Sequence, residues 1–202
     1  MKHACTGVIL AGGLSTRFNG KNKAFFSIRK KPLLSYIYNV YKELFDEILL
    51  VTNDPLEYLD WDLEIVTDIY PIRSSMTGIH TGLFYSKHQY AFVSGCDTPF
   101  LRKELVETIL SGIDNKSELI IPETSFGLEP LCAVYSKNCL KNLEHCLNHE
   151  KFKIMRCLKK VPVKKISEKK LLQKDPDFIS FFNINTPEDL DKAEALIRDE
   201  QP

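Results

Sequence analysis

Two adjacent glycines, Gly12 and Gly13, follow the apolar run Val8-Ile9-Leu10-Ala11 and precede two spaced cations, Arg17 and Lys23. Glycine has no Cβ, so its backbone takes φ > 0 at little cost and its N–H groups can approach phosphate oxygens closely, while the cations bring charge to the same place. The chemistry this suits is the binding of a nucleoside triphosphate. Spacing excludes two common glycine-loop motifs. Adjacent glycines do not give the dinucleotide fingerprint G-x-G-x-x-G, and the P-loop G-x-x-x-x-G-K-[ST] fails because Ser15 stands five positions before Gly20 and Asn22 follows Lys21.

What remains, L-A-G-G-x-S-x-R-x-x-G-x-x-K, resembles the N-terminal signature of enzymes that move an NMP from an NTP onto a phosphate. That reaction is an in-line attack by one anion on the α-phosphorus of another, so the site needs magnesium and fixed positive charge. Asp97 meets the first need. It follows the strand-like run Tyr90-Ala91-Phe92-Val93 in Gly95-Cys96-Asp97-Thr98-Pro99, and magnesium takes only one or two protein carboxylates beside phosphates and water. The competing role for Asp97 is to cap a helix near Pro99.

The elements that must position these residues alternate as strand and helix, the pattern of a parallel sheet covered on both faces, which makes the fold class α/β. Gly7 to Leu10 is the first expected strand. Pro32 opens a helix on Leu33, Ile37, Val40 and Leu44, with Leu34, Tyr41 and Phe45 on the same stripe. Ile48–Val51 and Leu63–Val66 read as strands, with the turn Thr52-Asn53-Asp54-Pro55 between them and Asp68 just beyond. A helix from about Thr77-Gly78 carries Ile79, Leu83 and Phe84, and another carries Leu101, Leu105 and Ile109. Leu119–Ile121 and Leu131–Tyr135 are further strands. Phe181-Phe182-Asn183-Ile184-Asn185 leads to Thr186-Pro187-Glu188-Asp189, a helix start with a cap, a first-position proline and an acidic first turn. In an open α/β sheet ligands lie at the carboxyl ends of the strands, so Gly12, Gly13, Asn53, Asp68 and Asp97 are candidates for one crevice.

The whole chain bounds what that crevice serves. Its 202 residues suit a single domain, 44% are apolar and 27% charged, and the formal net charge is zero, which removes a broad electrostatic case for nucleic acid. No apolar run is long enough to span a membrane and no targeting segment precedes the first strand, so a soluble, cytoplasmic protein is expected. The six cysteines lie mostly in apolar runs without a C-x-x-C pair and are expected to be reduced and buried. His145 and His149 have a metal-chelating spacing but polar surroundings, and read as a solvated helix end. The lysine-rich stretch from Lys159 to Lys174, with Val161, Val163 and Ile166 alternating, reads as a short edge strand and a solvated turn. Internal repeats and low-complexity segments are absent from the sequence.

Four blocks together resemble one family, the MobA-like molybdenum cofactor guanylyltransferases, over nearly the whole chain. They are Leu10-Ala11-Gly12-Gly13 through Arg17 and Lys23; Cys96-Asp97-Thr98-Pro99; Glu129-Pro130-Leu131 with Ala133-Val134-Tyr135; and Phe182-Asn183-Ile184-Asn185-Thr186-Pro187-Glu188-Asp189-Leu190. The resemblance implies a three-layer, Rossmann-like nucleotidyltransferase fold with a mostly parallel central sheet. It implies one domain over residues 1–202, nucleotide-binding in its N-terminal part and molybdopterin-binding in its C-terminal part.

By the same resemblance, Leu10, Ala11, Gly12 and Gly13 line the nucleotide, Lys23 and Arg17 stabilise the triphosphate, and Asp97 holds Mg2+. Asn53 and Asp68 belong to the nucleotide site, and Gly78, Glu129, Pro130, Asn183 and Asn185 serve the molybdopterin substrate. The implied reaction transfers GMP from GTP to the terminal phosphate of molybdenum-loaded molybdopterin. A molybdoenzyme or cofactor-delivery protein is an implied partner. The same machinery would serve CTP or a sugar-phosphate acceptor, or a non-catalytic carrier. Asn183 and Asn185 have a second reading, ordering the turn before the last helix. The chain departs from the family in two places: Asn22-Lys23 stands where the family has Asp-Lys, and Ser74-Ser75 where it has Gly-Pro. An amide still accepts a hydrogen bond but brings no charge.

Overall fold

The structure is a computed structural model and describes residues 2–13 and 22–199. In chain order the strands and helices are β1 Thr6–Leu10, β2 Ser27–Ile28, β3 Lys31–Pro32, α1 Leu33–Leu44, β4 Ile48–Val51, β5 Glu64–Val66, α2 Ser75–Tyr85, β6 Tyr90–Gly95 and α3 Lys103–Leu110. They continue with β7 Leu119–Thr124, β8 Gly127–Leu128, β9 Cys132–Ser136, α4 Leu140–Asn148, α5 Ile154–Cys157, β10 Val163–Ser167, α6 Glu168–Leu172 and α7 Pro187–Asp199. The central sheet has the order β10-β7-β9-β6-β1-β4-β5, with β8 paired to β7. Strands β4, β1 and β6 run parallel, as do β4 and β5, and β10 and β7; β9 runs antiparallel to both its neighbours, β6 and β7. The sheet is therefore mostly parallel, with β9 reversed inside it and the two-residue β8 antiparallel to β7.

The apolar runs explain why this sheet is covered twice. Successive strand residues point to opposite faces, and Val8 and Ile9, Leu49 and Leu50, and Phe92 and Val93 are all fully buried. A strand apolar at every position needs a helix on each side. Ile9, Leu50, Phe92 and Ile120 pack with Leu34, Ile37 and Tyr41 of α1, Leu105 and Ile109 of α3 and Leu171 of α6. Val8, Leu49, Val93 and Ile121 pack with Ile79 and Leu83 of α2 and Leu143 and Leu147 of α4. The two faces make the three layers. A small third cluster joins Ile28 and Leu33 to Ile184 and Ala193, docking α7 beside the β2–β3 hairpin.

Chain order and sheet order together open the crevice. After β1 the chain builds outward through β4 and β5, then returns to place β6 on the other side of β1. Connections leave this pair in opposite directions, and a cleft forms outside the carboxyl ends at such a point. Leu10 stands opposite Gly95 in the register and its carbonyl accepts from Cys96 N at 3.0 Å, so the loops after β1 and β6 emerge side by side.

Several expectations change in detail. Pro32 caps α1 from the short strand β3 rather than lying inside the helix. Helix α2 starts at Ser75, and its Phe84 faces solvent. Leu101 precedes α3, which begins at Lys103. The lysine-rich stretch does hold the edge strand β10, but α6 follows it where a turn was expected. His149 ends α4 and its ring lies exposed over the His145 carbonyl, in keeping with a solvated helix end.

The expectation that every cysteine is reduced is corrected. Cys146 and Cys157 form a disulfide with a Cα–Cα distance of 6.0 Å. Helix α4 ends, the chain reverses, and α5 brings Cys157 back beneath Cys146, a pairing across 11 positions that a search for C-x-x-C does not see. Cys5, Cys96, Cys132 and Cys139 are free and buried. Burial pushes the Cys5, Cys96 and Cys139 thiols up to about 12, which makes them poor nucleophiles at neutral pH. Among the described residues no helix is long and apolar enough to cross a membrane.

Candidate active site

The cleft at the ends of β1 and β6 is a crevice of about 310 Å³, and Leu10, Ala11, Gly12, Gly13, Lys23, Asp68, Gly78 and Asp97 all line it. Eight expected site residues, drawn from segments far apart in sequence, thus meet in one place. Arg17 lies outside the described residues. Ala11 continues β1 by donating to Val51 O at 2.8 Å. A Cβ added at Gly12 would stand 3.3 Å from Asn53 Nδ2, so a side chain there would crowd the amide; one at Gly13 would meet open space.

Lys23 begins a 3-10 turn, Lys23–Phe25, capped by Asn22, whose Oδ1 accepts from Ala24 N at 3.1 Å. Its ammonium donates to Asn185 Oδ1 at 2.9 Å and lies 3.6 Å from Asp97 Oδ2. Both charged side chains are about four-fifths buried, with 19% and 24% of their surface exposed. Burial raises the Asp97 carboxyl above its ordinary value, and the Lys23 charge opposes that rise. Asp97 does not cap a helix: α3 starts at Lys103, and the carboxylate faces Lys23 instead. The Asp97 carbonyl accepts from Ile184 N at 2.9 Å, which seats the 183–185 segment beside it and brings Asn185 onto Lys23.

On the β4–β5 side, Asn53 Nδ2 donates to Asp68 Oδ2 at 2.7 Å. Asp68 is raised by burial, against the Asn53 hydrogen bond. Ser74 is the N-cap of α2, accepting from Thr77 N at 3.1 Å, so the serine at this departure starts the helix whose Gly78 approaches β1. A Cβ at Gly78 would come within 3.0 Å of Leu10 Cδ2. Gly78 therefore lines the crevice at the ends of β1 and β6, in a different cavity from Glu129.

The remaining expected residues separate. Glu129 lines a second cavity of about 600 Å³, walled by Phe126, Phe178, Phe181 and Phe182 with Arg102 and Asp177 at its polar positions, and burial raises its carboxyl. Leu131, two positions on, lines the crevice. Pro130 contributes its carbonyl to the Tyr135 hydroxyl at 2.6 Å, a structural contact. Asn183 is exposed and donates to Phe181 O at 2.9 Å, the turn-ordering role; its partner in the motif, Asn185, is the one that reaches the site.

Sequence reasoning missed Arg73, which lines the crevice just before α2 and lies 4.0 Å from Asp54. Its signal was a cation immediately before a serine cap. It also missed the aromatic cavity, whose walls come from segments with no shared motif. Among the described residues no three His, Cys, Asp or Glu side chains cluster to hold a metal ion.

Residues 7–164 match the MobA-like NTP transferase domain. The chain is 45% identical over 195 residues to a molybdenum cofactor guanylyltransferase of Desulfosudis oleivorans, covering 96% of each chain. It is 38% identical to a probable molybdenum cofactor guanylyltransferase of Natranaerobius thermophilus, covering 94% of this chain and 95% of that one. Among solved structures it resembles molybdopterin-guanine dinucleotide biosynthesis protein A of Archaeoglobus fulgidus, with a TM-score of 0.85 and 27% identity over 96% of this chain and 99% of that one.

Proposed function

This chain belongs to the MobA-like NTP transferase family, and from that membership and its crevice we propose that it is a molybdenum cofactor guanylyltransferase, transferring GMP from GTP to the terminal phosphate of molybdenum-loaded molybdopterin. The observation that carries the reading is the Lys23–Asp97 pair, held by Asn185 at the carboxyl ends of β1 and β6. A phosphate oxygen of the acceptor attacks the α-phosphorus, the bond from that phosphorus to the oxygen bridging to the β-phosphate breaks, and pyrophosphate leaves. No protein nucleophile is required, because positioning and charge neutralisation supply the catalysis.

Each residue then has a task. Leu10, Ala11, Gly12 and Gly13 form the floor on which the nucleotide lies, with Asn53 and Asp68 as its polar edge. Lys23, with Arg17 earlier in the same segment of sequence, neutralises the triphosphate. Asp97 suits Mg2+: a single desolvated carboxylate, with the other ligands left to phosphates and water, is how that cation is held in phosphoryl-transfer sites. When bound there, Mg2+ supplies Lewis acidity at the phosphate oxygens. Without that cation, the Lys23 ammonium 3.6 Å away offsets the Asp97 charge. We place the acceptor toward Glu129 and the aromatic cavity, whose volume and flat side chains suit a fused heterocycle.

The test is pyrophosphate release with GTP, CTP and ATP in parallel, with and without molybdenum-loaded molybdopterin. Acceptor-dependent release with GTP supports the reading. Preference for CTP keeps the mechanism and changes the product, and tight GTP binding without release replaces the enzyme with a carrier.

A further inference from the structure

The segment that delivers Lys23 is fastened at its base by side chains that the transfer chemistry itself does not call for. Tyr58 ends a 3-10 turn, Pro55–Tyr58, and is fully buried. Its hydroxyl accepts from Asn22 Nδ2 at 2.7 Å and donates toward the Ala11 carbonyl at 3.5 Å. One phenol therefore meets the chain where it leaves β1 and again where it arrives at Lys23, the two feet of the span that holds the paired glycines. The ring is fixed by Phe25, whose centroid is 5.0 Å away. Asn22 is held at both ends of its amide: Oδ1 closes the Lys23–Phe25 turn through Ala24 N, while Nδ2 donates a second bond to Glu57 Oε2 at 2.6 Å.

We propose that Tyr58, Asn22 and Glu57 form a positioning clamp that sets the aim of Lys23 at the triphosphate, and that the neutral amide at 22 is matched to the acid at 57. The proposal rests on the guanylyltransferase reading for its substrate. Its logic is donor and acceptor count. The side chain at 22 must accept once and donate twice, which an amide does and a carboxylate does not. An aspartate there would keep the cap on Ala24 but set two carboxylates against each other at a distance where like charges repel. Exchanging both groups, so that the acid sits at 22 and the amide at 57, restores the match between those two side chains, with the Tyr58 hydroxyl turning its hydrogen from the Ala11 carbonyl to the acid.

Three variants test this: Tyr58→Phe, Asn22→Asp and the double variant N22D/E57Q. Each is measured for kcat, for KM toward GTP and toward the acceptor, for GTP affinity without acceptor, and for thermal unfolding. Tyr58→Phe keeps the buried ring and is expected to lower kcat/KM for GTP about tenfold to a hundredfold, the scale of a small misplacement of a charged group, with KM for the acceptor unchanged. Asn22→Asp is expected to lose about tenfold and N22D/E57Q to recover most of it. A loss of folded protein also lowers apparent kcat/KM but leaves KM and affinity for GTP in place, so positioning is read as a raised KM and a weakened affinity for GTP. The proposal is overturned by a Tyr58→Phe enzyme with unchanged kcat/KM for GTP, or by a double variant no better than Asn22→Asp. If the unmodified protein binds GTP but transfers nothing, the enzyme reading fails while the same ranking in GTP affinity still decides the clamp; if it binds no GTP, both fall.

Discussion

Lys23 sits between two partners of different character, a carboxylate that shares its charge and an amide oxygen that only orients it. Removing the ammonium leaves Asp97 buried without its nearby cation and, on the proposed function, takes one donor from the triphosphate. Lys23→Ala is therefore expected to lower kcat by about 10²–10³, the usual cost of losing one charge-stabilising donor, read by pyrophosphate release. Asn185→Ala leaves the charge and frees its aim, so its loss should be smaller, measured in the same assay; an equal loss would mean that Asn185 touches substrate itself. The residue scale is where the sequence was most legible. Glycines, a spaced lysine and an aspartate after an apolar strand carry their chemistry in their types. It was least legible where a role depends on which way a side chain turns: Asn183 and Asn185 share a motif, yet only Asn185 faces Lys23.

Among the elements, the join between β1 and its neighbours rests on one buried acid. Glu47, just before β4, accepts from the Thr6 hydroxyl and from Lys87 N at 2.8 Å, with the Lys87 ammonium 3.3 Å away. Burial works against its charge, but these donors win and hold its carboxyl below the ordinary value. An acid with a depressed folded value stabilises the fold above the ordinary carboxylate range and loses that contribution as pH falls through the folded value. Glu47→Gln should lower stability by about 1–3 kcal/mol at pH 7 and by much less in strong acid, where both proteins are neutral at this position. Denaturant titrations at the two pH values check the sign.

The contact of α2 with β1 is equally specific, because a Cβ at Gly82 would lie 2.5 Å from Val8 Cγ1. Gly82→Ala gains helix propensity but overpacks the layer, and a net loss of about 1–3 kcal/mol is expected in the same titration. Strands and helices were readable because burial on both faces writes apolar runs. The direction of β9 was not, since a run of apolar residues reads the same for either polarity. The β2–β3 hairpin and α6 escaped because two to five residues carry too little periodicity.

For the molecule as a whole, three layers and two apolar faces follow from the alternation of elements, and the family followed from four short blocks spread along the chain. The disulfide did not follow, because it joins residues whose nearness depends on how α5 folds back. Thiol titration in denaturant without reductant should count four reactive thiols, and six after reduction. Six at once would show that the pair is open. The pair lies on the α4 face and neither cysteine lines the crevice, so reduction should leave GTP affinity unchanged while it lowers the midpoint of thermal unfolding.

The hydrogen bond from Lys23 to Asn185 spans 162 positions of sequence. A chain growing on a ribosome presents its glycine loop early, then waits through most of its synthesis before the residue that steadies the lysine has even been made. The proposed nucleotide site is thus a late achievement in time although it begins near the start of the chain, and a nascent protein halted before that segment would carry Lys23 without the amide that steadies it.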